Sequence, residues 1–265
     1  MNPPLPVFPT LLLEAGDGIA TLTLNQPATL NAIDVAMALD LQRAAQWLET
    51  RADIRVVLLR GAGKAFCAGG DITLFEGDVN AVRGKLLDLF TPLNDFVAHV
   101  ARMDTLWLAQ VHGVAAGAGL SLVLACDLAI AEADTRFMTA YLKLGATPDA
   151  GMTHGLNRLL GPRRALDLLR HDAFNAADAL GWGLLNRVAD TGLLAQQAQA
   201  YASQLASHAP HGIAGAKHLL RNAAHARSKR SWPKKPPASW KPLGARISPK
   251  ACAFREKRAP RFQGR

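Results

Sequence analysis

Two glycine-rich stretches carry the residues best suited to chemistry in this chain. The first is Gly61-Ala-Gly-Lys-Ala-Phe-Cys-Ala-Gly-Gly-Asp71, which follows an apolar run at 54–60. The second is His112-Gly-Val-Ala-Ala-Gly-Ala-Gly119, which follows a similar run at 106–112 and opens a short, small-residue helix. Such turns can serve tight packing of helix on sheet and nothing else. They can also leave a backbone N–H pointing into a cleft, and a helix N-terminus adds positive potential to that donor. Two such donors meeting at one carbonyl oxygen make an oxyanion hole, which stabilises an enolate or a tetrahedral intermediate. Neither stretch is a phosphate loop or a dinucleotide fingerprint, because Lys64 lacks both the upstream glycine spacing and a following Ser or Thr.

Other reactive side chains have bland readings beside functional ones. Ser121, His112 and Asp127 could suggest a nucleophilic triad, but Ser121 lacks the GxSxG elbow. Asp149, in Thr147-Pro-Asp-Ala-Gly151, precedes a helical stretch and reads as an N-cap. Lys64 reads as a solvated lysine, Tyr141 as a packing residue or a hydrogen-bond donor to a substrate, and His154 as a surface or capping histidine or a residue lining an acyl pocket. Cys67, Cys126 and Cys252 are odd in number and far apart, which excludes a disulfide scaffold. No CxxC pair exists, which excludes a zinc ribbon, and no metal ligand is assigned.

Taken in order and spacing, several stretches resemble the crotonase family, also called the enoyl-CoA hydratase/isomerase family. They are Asn25-Gln-Pro-Ala-Thr-Leu-Asn31-Ala-Ile33, the segment 65–72, His112-Gly-Val-Ala-Ala-Gly-Ala-Gly-Leu-Ser-Leu-Val-Leu-Ala-Cys-Asp127, Leu144-Gly-Ala-Thr-Pro-Asp-Ala-Gly151 and Phe254-Arg-Glu-Lys-Arg-Ala-Pro-Arg-Phe-Gln-Gly264. The resemblance implies an α/β fold, a crotonase-like spiral of ββα units with a helical C-terminal part. It implies a homotrimer or hexamer acting on an acyl-CoA thioester. No separate cofactor is implied, since CoA is part of the substrate. The oxyanion donors would be the N–H groups of Gly70 and Ala118. Ala68, Asp71 and Ile72 would contact the adenine and pantetheine end of CoA, and Lys64 could meet a CoA phosphate. Ser121 and Tyr141 would lie against the substrate.

The same resemblance bears on the reaction. The family's hydratases carry two glutamates, at positions that hold Ser121 and Tyr141 here. Hydration needs one group to activate water and one to protonate the α-carbon, and neutral hydroxyls titrate too far from neutrality for either task. Asp149 matches the place where some family isomerases keep a single acid/base. Moving a double bond from C3 to C2 needs one shuttle only, so the expected activity is a Δ3-to-Δ2 enoyl-CoA isomerase or a relative acting on a ring-derived thioester. The alternatives are a hydratase of weak or altered activity and a non-catalytic crotonase-fold protein whose basic tail binds RNA or an acidic partner.

The elements that must position these residues are legible in outline. Runs at 19–24, 54–60, 106–112 and 127–131 read as buried strands. Stretches at 35–50, 79–102, 117–125, 150–160, 163–170, 176–182 and 192–207 read as helices, with Pro92 expected to kink or split the second and Gly161-Pro162 to break the fourth from the fifth. The pattern predicts a core over 1–190 that holds the CoA site, followed by a helical trimerisation part over 191–265.

Composition narrows the class. The 265 residues are 49% hydrophobic with a net charge of +9, which excludes a disordered chain. The charge is uneven: residues 1–190 hold 20 acids and 15 bases, residues 191–265 one acid and 15 bases. The basic pI therefore belongs to the tail, and nucleic-acid binding is not expected of the body. No apolar run reaches the ~20 residues of a membrane span, and no signal peptide is evident, so a reducing, cytoplasmic setting is expected. Residues 228–251 are anomalous, with five prolines, two tryptophans and no acid. They read as a linker for an acidic partner, an arm packed by its tryptophans, or a segment in a shifted reading frame.

Overall fold

The computed structural model describes residues 4–76, 78–142, 145–171 and 173–225. The chain divides into two compact units, Met1–Arg221 and Asn222–Arg265, and of the second only 222–225 are described. The anomalous stretch 228–251 and the family-like ending lie outside the described residues.

The first unit is built on a six-stranded sheet in the order β1-β2-β3-β4-β6-β9. Strands β1 (Leu11–Gly16) and β2 (Ile19–Leu24) form an antiparallel hairpin. Its two-residue turn, Asp17-Gly18, has positive φ at both positions, as a right-twisted hairpin requires. From β2 onward the neighbours are parallel: β3 (Val56–Gly61), β4 (Leu106–Val111), β6 (Leu128–Glu132) and β9 (Arg187–Ala189). A parallel sheet must be covered on both faces. Alternation along β3 and β4 meets that demand. Val57, Leu59, Trp107, Ala109 and Val111 face one core, and Val56, Leu58, Leu106 and Leu108 face the other.

A second, smaller sheet joins β5 (Val114–Ala116), β7 (Arg136–Met138) and β8 (Phe174–Asn175). Single-residue bridges extend it, Cys67 beside Ala115 and Ile33 beside Gly70. The repeating unit is then visible. A large-sheet strand leads to a small-sheet segment and then to a helix. Thus β3 passes through Cys67 and Gly70 into α2 (Val79–Arg102), β4 through β5 into α3 (Ala118–Ala125), and β6 through β7 into α4 (Met152–Leu169). This is the expected ββα spiral.

α1 (Val35–Glu49) is capped by Asp34, whose carboxylate accepts from Met37 N, and it packs along α2. α2 is continuous through Pro92, so the proline does not split it. Burial of Leu89, Leu93, Phe96 and Val100 on one face outweighs the single backbone bond a proline removes. α4 does break at Gly161, which sits at φ 73° and ψ 165° between two helical halves. α5 (Ala176–Gly181) begins with a capping box at Asn175 and Asp178. α6 (Leu194–Ala206) lays Ala198, Tyr201, Ala202 and Leu205 on the back of the large sheet.

α7 (Pro210–His225) is tied to the core by charge. Lys217 Nζ lies 2.8 Å from Asp127 Oδ2 and also donates to the carbonyls of Val100 and Thr105. Arg221 meets Asp127 Oδ1 at 2.8 Å and donates to the Ala101 carbonyl. Trp107 N–H completes the set on Asp127. Burial pushes the Lys217 ammonium below its ordinary value, and the facing Asp127 pulls it back up.

Candidate active site

Three chain segments meet where the two glycine-rich turns lie. The turn after β3 is held on one side by Ala68 N to Leu30 O, Ile33 N to Gly69 O and Asp71 N to Ile33 O, at 2.7–3.0 Å. On the other side Cys67 N donates to Val114 O, and Ala116 N donates to Cys67 O. In this parallel pairing, Ile33 bonds to the residues flanking Gly70. The Gly70 N–H therefore faces away from the 30–33 segment. Ala118 is the first residue of α3, whose opening N–H groups have no acceptor within the helix. Among the described residues, neither the Gly70 nor the Ala118 N–H has a backbone acceptor.

The two turns touch. A methyl on Gly69 would stand 3.1 Å from the Ala116 carbonyl oxygen and 3.9 Å from Ala118 N. Gly117 takes φ 47° and ψ −120° at the start of α3, a conformation only glycine adopts freely, and donates its own N–H to Met138 O.

Asn31 underpins the first turn, and the sequence reading gave it no role. It is fully buried at φ 57°. Its Nδ2 donates to the carbonyls of Ala62, Ala65 and Phe66, and its Oδ1 accepts from Gln26 N. The available signal was an asparagine after a proline turn, since asparagine tolerates left-handed backbone better than most residues.

Asp149, Tyr141 and Ser121 come together. Tyr141 Oη donates to Asp149 Oδ1 at 2.5 Å. Ser121 Oγ donates to the Asp149 main-chain carbonyl at 3.2 Å and lies 3.4 Å from Gly117 O. Ser121 thus joins the Asp149 segment to the turn that presents Ala118. The helix α4 is capped at Gly151, without a side chain, so the carboxylate of Asp149 is not spent on the cap. Burial raises the Asp149 carboxyl above its usual value, with the Tyr141 hydrogen bond acting in the opposite direction. Burial and the neighbouring carboxylate push the Tyr141 phenol up, which keeps it a proton donor at any working pH.

One face of α2 spans the region. A methyl on Gly70 would lie 3.9 Å from Leu89, and one on Gly151 would lie 3.1 Å from Val97. Eight helical residues rise roughly 12 Å, so α2 forms a wall reaching from the Gly70 amide to the Asp149 segment.

The remaining expected residues sit on the rim. Ala68, Lys64 and Ile72 are exposed, Ile72 by 67%. The Asp71 side chain caps the short turn 72–75, accepting from Thr73 N and Oγ1 at 2.9 Å. The triad reading finds no geometric support. His112 bonds Gly63 O, Asp127 is held by Lys217 and Arg221, and Ser121 serves Asp149. His154 is exposed. Cys67 and Cys126 are buried fillers, and burial pushes the Cys67 thiol up to about 12. Among the described residues no cluster could hold a metal, and no helix is long and apolar enough to cross a membrane.

Known proteins resemble this chain in sequence and in fold. The chain is 35% identical over 215 residues to the 1,2-epoxyphenylacetyl-CoA isomerase of Escherichia coli (strain K12), covering 80% of this chain and 82% of that one. It is 31% identical over 207 residues to the (E)-benzylidenesuccinyl-CoA hydratase of Thauera aromatica, covering 77% and 79%. A crystal structure of an enoyl-CoA hydratase from Mycobacterium smegmatis superposes with a TM-score of 0.75 at 32% identity, over 83% of this chain and 85% of that one. The family described as enoyl-CoA hydratase/isomerase matches residues 14–265. On these matches and this fold, the chain belongs to the enoyl-CoA hydratase/isomerase family.

Proposed function

We propose that this protein shifts the double bond of a 3-enoyl-CoA thioester to C2, with Asp149 as the sole proton carrier. The observation that carries the reading is the local inventory of acids. Asp149 is joined through Ser121 to the turn that presents Ala118, and the side chain bonded to its carboxylate is the neutral Tyr141. The C2–H bond breaks as the proton passes to the Asp149 carboxylate. Its electron pair moves into a dienolate whose oxygen accepts from the Gly70 and Ala118 N–H groups. C4 then takes the proton back from Asp149 as the charge returns to restore the thioester carbonyl. A carboxyl raised by burial is a stronger base than one in water, which suits the first step. The exposed rim of Ala68, Asp71, Ile72 and Lys64 would hold the CoA moiety.

The name of the E. coli relative favours a second reading of the acyl group, a ring-derived thioester. The chemistry asked of Asp149 is the same. Turnover of straight-chain and cyclic 3-enoyl-CoA substrates should be measured in the wild type and in Asp149→Asn. Loss of at least ~1000-fold in kcat with KM little changed is expected. Retention of full activity would overturn the reading.

A further inference from the structure

Resting on Asp149 as the proton carrier, we propose that Tyr141 is a positioning residue that occupies one carboxylate oxygen of Asp149 and leaves the other, Oδ2, to carry the proton. Three observations support it. The Tyr141 ring is 7% exposed and packed in the main core, so its hydroxyl is fixed and does not swing to follow a substrate. That hydroxyl lies 2.5 Å from Oδ1, and among the described residues no other side chain donates to either carboxylate oxygen. The Asp149 main chain is pinned separately, its carbonyl accepting from Ser121 Oγ and from Met152 N.

Backbone strain marks the same pair. Ala140, just before Tyr141, has φ 64°, and Ala150, just after Asp149, has φ 43°. Left-handed backbone is unfavourable for a residue with a Cβ, and it persists only where the surroundings impose it. Here both strained residues turn the chain so that a phenol and a carboxylate eight positions apart face each other.

The proton balance follows. Tyr141 keeps its own proton throughout and donates it as a hydrogen bond to Oδ1. The substrate's C2 proton can bind only to Oδ2, and the same oxygen returns it to C4. A carboxylate with one oxygen committed cannot rotate to exchange its two oxygens, so the carried proton stays on the substrate side.

The groups around Asp149 make the test clean. Val97 from α2, Ser121 from α3 and Met152 from α4 are uncharged, and Tyr141 is the one titratable side chain acting on the carboxyl among the described residues. A hydrogen bond to the charged form favours that form. Tyr141→Phe should therefore move the acid limb of the kcat/KM profile to higher pH by roughly one unit. KM for a 3-enoyl-CoA should change less than about twofold. The chain has two tyrosines, Tyr141 and Tyr201 on the back of the sheet. Incorporating 3-fluorotyrosine into the Tyr201→Phe protein offers a near-isosteric second test, in which a stronger donor should move the limb to lower pH. An unmoved limb in both experiments overturns the proposal, as does a several-fold rise in KM with an unmoved limb, which would mean that Tyr141 donates to substrate. If Asp149→Asn stays active, the functional reading itself fails. If that variant is inactive and the limb stays still, only the positioning role fails.

Discussion

Gly119 sets its bare α-carbon against Cys67, so closely that a methyl there would stand 2.5 Å from the Cys67 carbonyl oxygen and 2.8 Å from its Cβ. That approach brings α3 onto the turn after β3 and sets Ala118 N–H beside the Gly69-Gly70 corner. Backbone cannot yield at this contact without moving one turn from the other. Gly119→Ala should lower kcat by roughly 100-fold or more, in line with loss of an oxyanion donor. Gly212, in α7, has open space around it and serves as the control. Gly212→Ala should leave activity intact and raise stability by up to about 1 kcal/mol. Steady-state kinetics with thermal melts on both variants checks the contrast.

Asn31 holds three carbonyls of the same turn. Asn31→Ala leaves the buried Ala65 and Phe66 carbonyls without this donor, at about 1–3 kcal/mol for each unsatisfied group. We expect a clear fall in the urea midpoint and a raised KM, because the 62–66 turn leads into the rim proposed to hold CoA. An unchanged midpoint would show that water replaces the amide without loss.

Asp149 should trade stability for activity. Its folded-state pKa lies above the unfolded value, so the folded protein binds this proton more tightly. The stability linked to it is full below the unfolded-state pKa and is lost as pH rises through the folded one. At neutral pH the half-buried anion is a burden, which Asp149→Asn removes. The variant should melt at the same temperature or higher at pH 7, with the gap narrowing towards pH 4. A variant that melts well below the wild type at pH 7 would show that the charge itself supports the fold.

Asp127 should behave in the opposite way. It faces Lys217, which is 6% exposed, and Arg221. Asp127→Asn leaves a buried ammonium without its counter-charge, a change that typically costs about 3–5 kcal/mol. Chemical denaturation should register most of that loss, and α7 should become the first region to exchange its amide protons.

The legible parts of this protein were those where one local rule dominates. β2 spans 19–24, as its apolar run predicts, and β4 differs from its predicted span by one residue. The glycine turns announced their tight approach. β5, β7, β8 and β9 have three residues or fewer, too few for any period to show. Pro210 at the start of α7 is a helix signal that the reading passed over. Asp149 was ambiguous for a physical reason. A carboxylate immediately before the predicted 150–160 helix suits a cap, and only the left-handed Gly151, ahead of a helix that starts at Met152, shows that the cap lies elsewhere. The Tyr141 contact depends on two strained alanines, Ala140 and Ala150, which no propensity scale anticipates.

The most direct test follows one hydrogen atom. A 3-enoyl-CoA deuterated at C2 should be converted in ordinary water under single-turnover conditions and the product examined by NMR. A lone aspartate ferrying that atom predicts deuterium at C4 of the product, at a level far above solvent incorporation, and none in Asp149→Asn. Complete loss of the abstracted deuterium to water, leaving ordinary hydrogen at C4 of the product, would contradict it.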